Sequence, residues 1–202
     1  MKTVFFCLVL FLFTTLVAQE GIQFGAQVNA SWKLNVHRSK TVPGIWAAEN
    51  GYGFTGGIPI RIWTTESSSF NTGVNYEYTA FDTYAFNQLQ SSFRFHGLSL
   101  PLYWSNNVTK NWYFNYGGGV NYNFSVNSWS AGFNQSVKDQ TNKIQPNLLL
   151  GISSLTKRTN NWFDLGFNMR LFFIDIWKKG TTNYETQTNK LLVFDFSMKY
   201  SF

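Results

Sequence analysis

The amino-acid sequence predicts an all-β fold, an eight-stranded antiparallel up-and-down transmembrane β-barrel. Apolar and polar side chains alternate with a period of two along eight segments, which is strand periodicity. Long and short connections also alternate between these segments. Aromatic residues make up 19% of the chain and charged residues only 13%, about half the usual charged fraction of a soluble domain. Together these features are typical of an outer-membrane barrel.

The first nineteen residues are predicted to be a secretory signal peptide. Lys2 supplies a positive start, "VFFCLVLFLF" an apolar core too short to span a bilayer, and "TTLVAQ" an exit region, with cleavage near Ala18 or Gln19. The expected domains are therefore residues 1–19 as signal peptide and residues 20–202 as the outer-membrane β-barrel domain. The single cysteine, Cys7, would leave with the signal, so no thiol chemistry is expected in the mature chain.

The eight segments follow one another through the mature chain. In the first, "GIQFGAQVNASWKL", the even positions from Ile22 to Leu34 are apolar, and each later segment repeats this period. Pro59 and Pro101 fall inside strands, where we expect bulges, and the phase change at His96-Gly97 indicates another. The predicted strands centre on residues 22–34, 52–62, 70–78, 98–104, 112–124, 148–152, 163–173 and 192–202.

The connections predict the orientation of the barrel. Long polar stretches such as "NVHRSKTVPGIWAAEN" follow the odd-numbered strands, whereas "TTESSS", "SNNVTKN" and "TKRTNN" are short. Outer-membrane barrels have short periplasmic turns and longer external loops. Both ends of the chain are therefore expected in the periplasm.

A soluble lipocalin also has alternating strands, around an apolar cavity, so the polar face must decide which side points outward. That face is mostly Asn, Gly, Ser, Thr and Gln, as in "YFNYGGGVNYNF", rather than Lys and Glu. Such residues suit a crowded lumen. The apolar face is therefore predicted to meet lipid.

Six charged side chains share the predicted inward face and form the candidate functional site. An eight-stranded interior is just wide enough for side chains, so we expect a paired network that plugs the lumen; a proton or ion path is the alternative. The six residues are Arg61, Glu77, Asp164, Arg170, Asp195 and Lys199.

Aromatic residues predict two further features. Trp63, Trp104, Trp112 and Trp162 lie beside the short turns, as expected for an interface girdle; Trp63 and Trp162 fall on the polar phase and are alternatively assigned to the turns. The last segment is expected to pair with the first. Its Tyr200 and Phe202 resemble the signal read by the outer-membrane assembly machinery, which implies that machinery and periplasmic chaperones as partners.

The whole mature chain resembles a known family through "LSLPLYW", "YFNYGGGVNYNF", "FDFSMKYSF" and a signal ending in "AQ". These stretches are similar to the porin-like outer membrane protein beta-barrel domain family typical of Bacteroidetes. The resemblance implies export to the outer membrane of a Gram-negative bacterium. It implies location more firmly than activity.

The expected function is that of a small non-enzymatic outer-membrane protein with a structural or interaction role. The alternative is a barrel subunit of a secretion or gliding apparatus, as some relatives of the family are. A lipid A-modifying enzyme is the third hypothesis, with His96, Ser99 and Glu77 as conceivable members of a site, but nothing in their spacing supports catalysis.

The charges of the predicted external loops bear on binding partners. Arg38, Lys40, Lys178 and Lys179 lie in predicted external loops, where they could contact lipopolysaccharide phosphates; solvated loop charge is the alternative. A protein partner is left open. The net charge of +6 does not indicate nucleic acid, because no basic patch with stacking aromatics lies on a water-facing element. No cofactor and no metal site are expected.

Overall fold

The computed structural model describes residues 21–38, 47–85, 88–130, 133–158, 161–176, 178 and 188–201. Nine strands and one short 3-10 helix, η1 (Lys138–Gln140), lie within these ranges. Among the described residues, no helix is long and apolar enough to cross a membrane. The strands are β1 (Ile22–Arg38), β2 (Ala47–Thr65), β3 (Ser68–Ala85), β4 (Gln88–Thr109), β5 (Trp112–Ser130), β6 (Phe133–Ser136), β7 (Ile144–Arg158), β8 (Asn161–Phe172) and β9 (Thr188–Ser201).

Eight of these strands form a closed antiparallel barrel, which confirms the predicted fold. Each strand pairs with its neighbours along the chain, β5 pairs with β7, and β9 closes the ring on β1 from Gly25 opposite Ser201 to Arg38 opposite Thr188. The ninth strand, β6, pairs only with the far end of β5. Closure satisfies the strand edges that lipid could not hydrogen-bond.

The two faces of the barrel have the predicted polarity. Apolar side chains such as Val28, Val74 and Leu100 are exposed on the outer wall, whereas Asn75 and Asn115 are buried inside. Because successive strand residues point to opposite faces, one phase of each strand contacts lipid and the other fills the lumen.

The connection between β3 and β4 is much shorter than the sequence predicted. The two strands continue as a paired hairpin to Ala85 opposite Gln88, well beyond the predicted ends. Their outward positions become polar there, at Asp82, Ser92 and Arg94, because the hairpin has left the apolar layer. The inward positions are apolar there, at Phe81 and Phe95, so the polarity of the two faces is reversed while the hydrogen-bonded ladder continues.

The bulges predicted at Pro59 and Pro101 are wrong. Pro59 stays in register opposite Gly73, and Pro101 stays in register opposite Gly119. The ladder is interrupted only on the other side of each proline. The gap beside Pro59 lies between β1 and β2, and the gap beside Pro101 lies between β3 and β4. In both, the register is the same before and after the gap. A strand residue directs its N–H to one neighbour only, so a missing donor weakens one ladder and leaves the other intact.

A bulge does occur opposite His96 and Gly97, where the phase change was predicted. His96 pairs with Ser125 and Gly97 with Asn123, so β5 carries one extra residue at this point. Inward positions on β5 change there from odd to even, and Val126 becomes fully buried.

Candidate functional site

We name the two ends of the barrel by the orientation that the loop lengths predict. The extracellular charge cluster consists of Lys33, Glu77, Arg170 and Asp195, all inside the barrel. Glu77 accepts hydrogen bonds from Lys33 Nζ (2.6 Å), Arg170 Nη1 (3.0 Å) and Asn121 Nδ2 (2.6 Å). Arg170 also donates from Nε to Asp195 Oδ2 (2.5 Å) and from Nη2 to Asp195 Oδ1 (3.1 Å). Two buried cations therefore face two buried anions, and the paired charges offset much of the cost of their burial.

Lys33 is the member of this cluster that the sequence prediction missed. It is 2% exposed and donates to the Thr79 hydroxyl as well as to Glu77. The alternation in the sequence already placed Lys33 on the inward face, because it shares the polar phase of the first strand with Gln27 and Ser31.

The periplasmic charge cluster consists of Arg61, Asp164 and Lys199. Arg61 donates from Nη2 to Asp164 Oδ2 (2.5 Å) and from Nε to Asn71 Oδ1 (2.9 Å). Lys199 Nζ lies 4.0 Å from the same Asp164 oxygen and donates to the Tyr103 hydroxyl (2.6 Å). Two cations thus share one carboxylate, and each also donates to a neutral side chain, Arg61 to Asn71 and Lys199 to Tyr103.

A cluster of aromatic and aliphatic side chains, the periplasmic plug, closes the lumen beside the short turns. Trp162, Tyr113 and Leu155 are its buried members, and Trp63 packs against them. The Arg61 guanidinium lies 4.1 Å from the Trp162 ring centroid and 5.5 Å from that of Trp63, so the plug also stabilises this cation through its ring faces.

These positions correct the girdle prediction for two of its four tryptophans. Trp162 is 1% exposed, and both Trp63 and Trp162 are strand residues that face the lumen, belonging neither to the lipid interface nor to a turn. Their place on the polar phase already indicated the inner face. Trp104 and Trp112 point outward and are exposed.

A second apolar cluster, the extracellular plug, fills the other end of the lumen. Two of its members, Val137 and Ile176, come from the segments that follow β6 and β8. The sequence prediction missed this plug because its inward positions are apolar and resemble the lipid-facing phase. The buried members are Phe81, Phe95, Val126, Val137, Phe172, Ile176, Leu191 and Val193.

Hydrogen bonds join residues 137–142 to residues 173–176 and Lys178, and we call these two segments, which contribute Val137 and Ile176 to the plug, the extracellular cap. Asn142 donates from its backbone N to Ile176 O (2.9 Å) and from Nδ2 to Asp175 O (2.7 Å). The backbone N of Lys178 donates to Gln140 O (2.9 Å). The described part of this mouth is therefore covered by two segments that hold each other in place.

Between the two charge clusters the lumen keeps a cavity of about 40 Å³. Ser99, Arg170, Asp195 and Lys199 are among the side chains that border it. A cavity of this size holds a few water molecules and no larger solute.

The imagined catalytic group of His96, Ser99 and Glu77 is not brought together. Ser99 and Glu77 are buried in the lumen, whereas His96 points outward and its Nδ1 lies 2.5 Å from the Tyr76 hydroxyl. The barrel wall separates the histidine from the carboxylate, so these side chains cannot form a catalytic group.

The remaining predicted residues lie at the two ends of the barrel. Lys178 donates from Nζ to Asp139 O (2.7 Å), within the extracellular cap. Tyr200 points outward and its hydroxyl accepts from Asn161 Nδ2 (3.0 Å). Residues 1–19, Lys40, Lys179 and Phe202 lie outside the described residues, and so does the side chain of Arg38.

Comparisons with known proteins agree with this architecture. A model of the family described as outer membrane protein beta-barrel domain matches residues 17–175. No match was found among curated proteins. Among solved structures, Neisserial surface protein A (NspA) is similar with a TM-score of 0.51 and 15% identity, over 90% of this chain and 98% of that chain.

Two other outer-membrane structures are similar at lower scores. Ail, the attachment invasion locus protein of Yersinia pestis, has a TM-score of 0.43 and 12% identity over 91% of this chain and 100% of that one. OprG from Pseudomonas aeruginosa has a TM-score of 0.46 and 9% identity over 90% and 93%. At such identities the likeness to NspA supports the fold alone.

Proposed function

Because the chain belongs to the outer membrane protein beta-barrel domain family and lies in the outer membrane, we propose that it is a closed, non-enzymatic barrel with a structural or interaction role. It does not conduct solutes across the membrane. The β5–β6 hairpin beside its extracellular cap is the surface on which a binding partner acts.

The sealed lumen is the observation that supports this proposal. Apolar plugs close both ends, and two buried charge clusters lie between them. A solute crossing the barrel would have to displace the Trp162 ring and separate Glu77 from Arg170, which are joined at 3.0 Å. Separating buried pairs leaves uncompensated charge at a cost of several kcal/mol.

The interaction role rests on the surface beyond the apolar band. The hairpin of β5 and β6 extends past the barrel wall, and Trp129 and Phe133 on it are 57% and 79% exposed. Aromatic side chains exposed outside the bilayer are typical of binding surfaces. The hydrogen-bonded cap next to this hairpin gives it a fixed base.

The test is electrical. Purified barrels inserted in planar lipid bilayers should show no stable conductance, while an open porin measured in the same membranes provides the positive control. Steady channel openings whose ion selectivity changes in Glu77→Gln or Arg170→Gln would overturn the closed-barrel proposal.

The interaction role is tested in intact cells with a photo-crosslinking amino acid at position 133. A discrete adduct there, absent when the same group replaces lipid-facing Leu165, is the expected result. Adducts equally frequent at both positions would contradict a specific extracellular surface. An unchanged lipid A mass spectrum in a deletion strain is expected for a protein that does not modify lipid A.

A further inference from the structure

A patch of polar side chains, the outer polar island, lies on the outside of β3, β4 and β5. Arg94 is opposite Asn127 on β5, and His96 is opposite Ser125. On the other side of β4, Asp82 of β3 is opposite Ser92. The inward positions between them, Phe81, Phe95 and Val126, belong to the extracellular plug, so the six polar residues point away from the lumen.

The island directly follows the apolar band of the outer wall. Along β4 the outward positions are apolar from Trp104 to Leu98 and polar from His96 to Ser92. Tyr76, an outward aromatic on β3, lies beside both His96 and Phe124, an outward aromatic on β5. Aromatic girdles mark the membrane interface, which puts the island at the level of the lipid headgroups on the extracellular side.

Arg94 is held in a fixed orientation on this surface. Its Nη1 donates to Asp82 Oδ1 (3.2 Å), to Phe93 O (3.0 Å) and to Phe81 O (3.4 Å). Ser92 Oγ donates to the same Asp82 oxygen (2.7 Å) and fixes the carboxylate in turn. Within the described residues these bonds use one nitrogen of the guanidinium and leave its Nε and Nη2 donors for a further acceptor.

We propose that the outer polar island binds a phosphate group of an outer-leaflet glycolipid, with Arg94 as the principal donor. A guanidinium fits a phosphate with two parallel hydrogen bonds, and the Asn127 amide on the adjacent strand adds a further donor. Asp82 is a positioning residue that orients Arg94. The apolar wall below the island then contacts the acyl chains of the same lipid. The site lies on the lipid-facing wall, outside the cap, and goes beyond the closed-barrel function.

The experiment measures binding of two lipids to the purified, folded barrel in detergent by native mass spectrometry. The first is bisphosphorylated lipid A, and the second is the same lipid after enzymatic removal of both phosphates. The wild-type barrel should retain the phosphorylated lipid about tenfold more tightly. Equal retention of the two lipids overturns the proposal without the need for any variant.

Variants locate the site. Arg94→Gln should lose the preference for the phosphorylated lipid and Arg94→Lys should keep part of it, while Lys143→Gln, which removes an exposed cation near the same rim, should leave it unchanged. Heat-dependent gel migration verifies that each variant is folded. Loss of the preference in Lys143→Gln to the same extent would show general charge attraction and overturn the assignment to the island.

Inorganic phosphate distinguishes the lipid from a soluble source of the same chemistry. At millimolar concentration it should not displace the phosphorylated lipid, because it lacks the acyl chains that contact the apolar wall. Complete displacement would make the island a site for soluble phosphate and overturn the lipid assignment.

Discussion

Glu77 receives hydrogen bonds from side chains of three other strands, Lys33 of β1, Asn121 of β5 and Arg170 of β8. It therefore joins opposite walls of the barrel through the lumen. Without its charge, Lys33 and Arg170 would face the single carboxylate of Asp195. A buried pair is strongly destabilising when one partner is lost, because the remaining charge keeps its full cost of burial.

Glu77→Gln is therefore expected to lower the free energy of unfolding by about 3–5 kcal/mol, measured by urea titration of the barrel in phospholipid vesicles. The control is Asp82→Asn on the outer wall, whose pair with Arg94 is about one-third exposed and should contribute only about 0–1 kcal/mol. Equal losses in the two variants would mean that the Glu77 network does not stabilise the lumen.

The lipid-facing wall gives a second prediction for single residues. Val120 lies on the outer face of β5, within the apolar band. Val120→Arg should cost roughly 2–4 kcal/mol if the site is near the bilayer midplane, whereas Trp129→Arg, beyond the band, should cost about 0–1 kcal/mol. The same urea titration measures both. Tolerance of arginine at position 120 would show that this side chain does not face lipid.

At the scale of strands, Gly73 of β3 is adapted to its neighbour Pro59 on β2. Its φ of +150° belongs to the backbone region that favours glycine, and an added Cβ would overlap Ile58 O and lie 3.0 Å from Pro59 Cα. The glycine allows the β2–β3 ladder to continue past a residue that cannot donate on its other side.

Gly73→Ala should accordingly destabilise the barrel by about 1–3 kcal/mol. Gly56→Ala provides the matched control on β2, because a Cβ there meets only Gln27 O, at 3.9 Å, and should leave the unfolding midpoint nearly unchanged. The measurement is the denaturant concentration at the unfolding midpoint of each variant, compared with that of the wild-type barrel. A larger loss at Gly56 would contradict the assigned role of Gly73.

The strands could be predicted from the sequence wherever their two faces meet different surroundings. Within the membrane, this contrast identifies all eight barrel strands in the sequence. It is lost where both faces are apolar, as around Phe172, and it is reversed where the inner face is apolar and the outer face polar, as around Phe95 on the β3–β4 hairpin. The extracellular plug and the true strand ends therefore could not be read from alternation.

The charged residues of the lumen could be predicted by phase, but their partners could not. Glu77 and Arg170 are 93 residues apart on β3 and β8, which are not neighbours in the sheet. Which side chains meet across a barrel depends on strand tilt and stagger, and local periodicity contains no information on either. For the same reason Trp162 could be placed on the inner face, but its contact with Arg61 could not be foreseen.

Across the whole molecule the interior is layered along the barrel axis. An apolar plug at each end covers a charge cluster, and a small cavity separates the two clusters. The described lumen holds four cations and three anions, all nearly inaccessible to solvent. These charges are paired only when all the strands that carry them are present. Closure of the barrel and the charge clusters in its lumen therefore depend on each other.

This coupling predicts how the barrel responds to loss of a strand. The intact barrel should stay folded in dodecyl sulfate at room temperature and migrate differently after boiling, because the closed ladder offers no unpaired barrel edge among the described strands. Deleting residues 188–201 removes β9, exposes the edges of β1 and β8, and takes Asp195 and Lys199 from the charge clusters. That variant should lose the heat-dependent migration.

Replacing Phe133–Ser136 by four Gly and Ser residues is the control, because β6 pairs only with the end of β5. This variant should keep the heat-dependent migration. A heat-dependent shift that survives without β9 would show that ring closure is not what holds the lumen together.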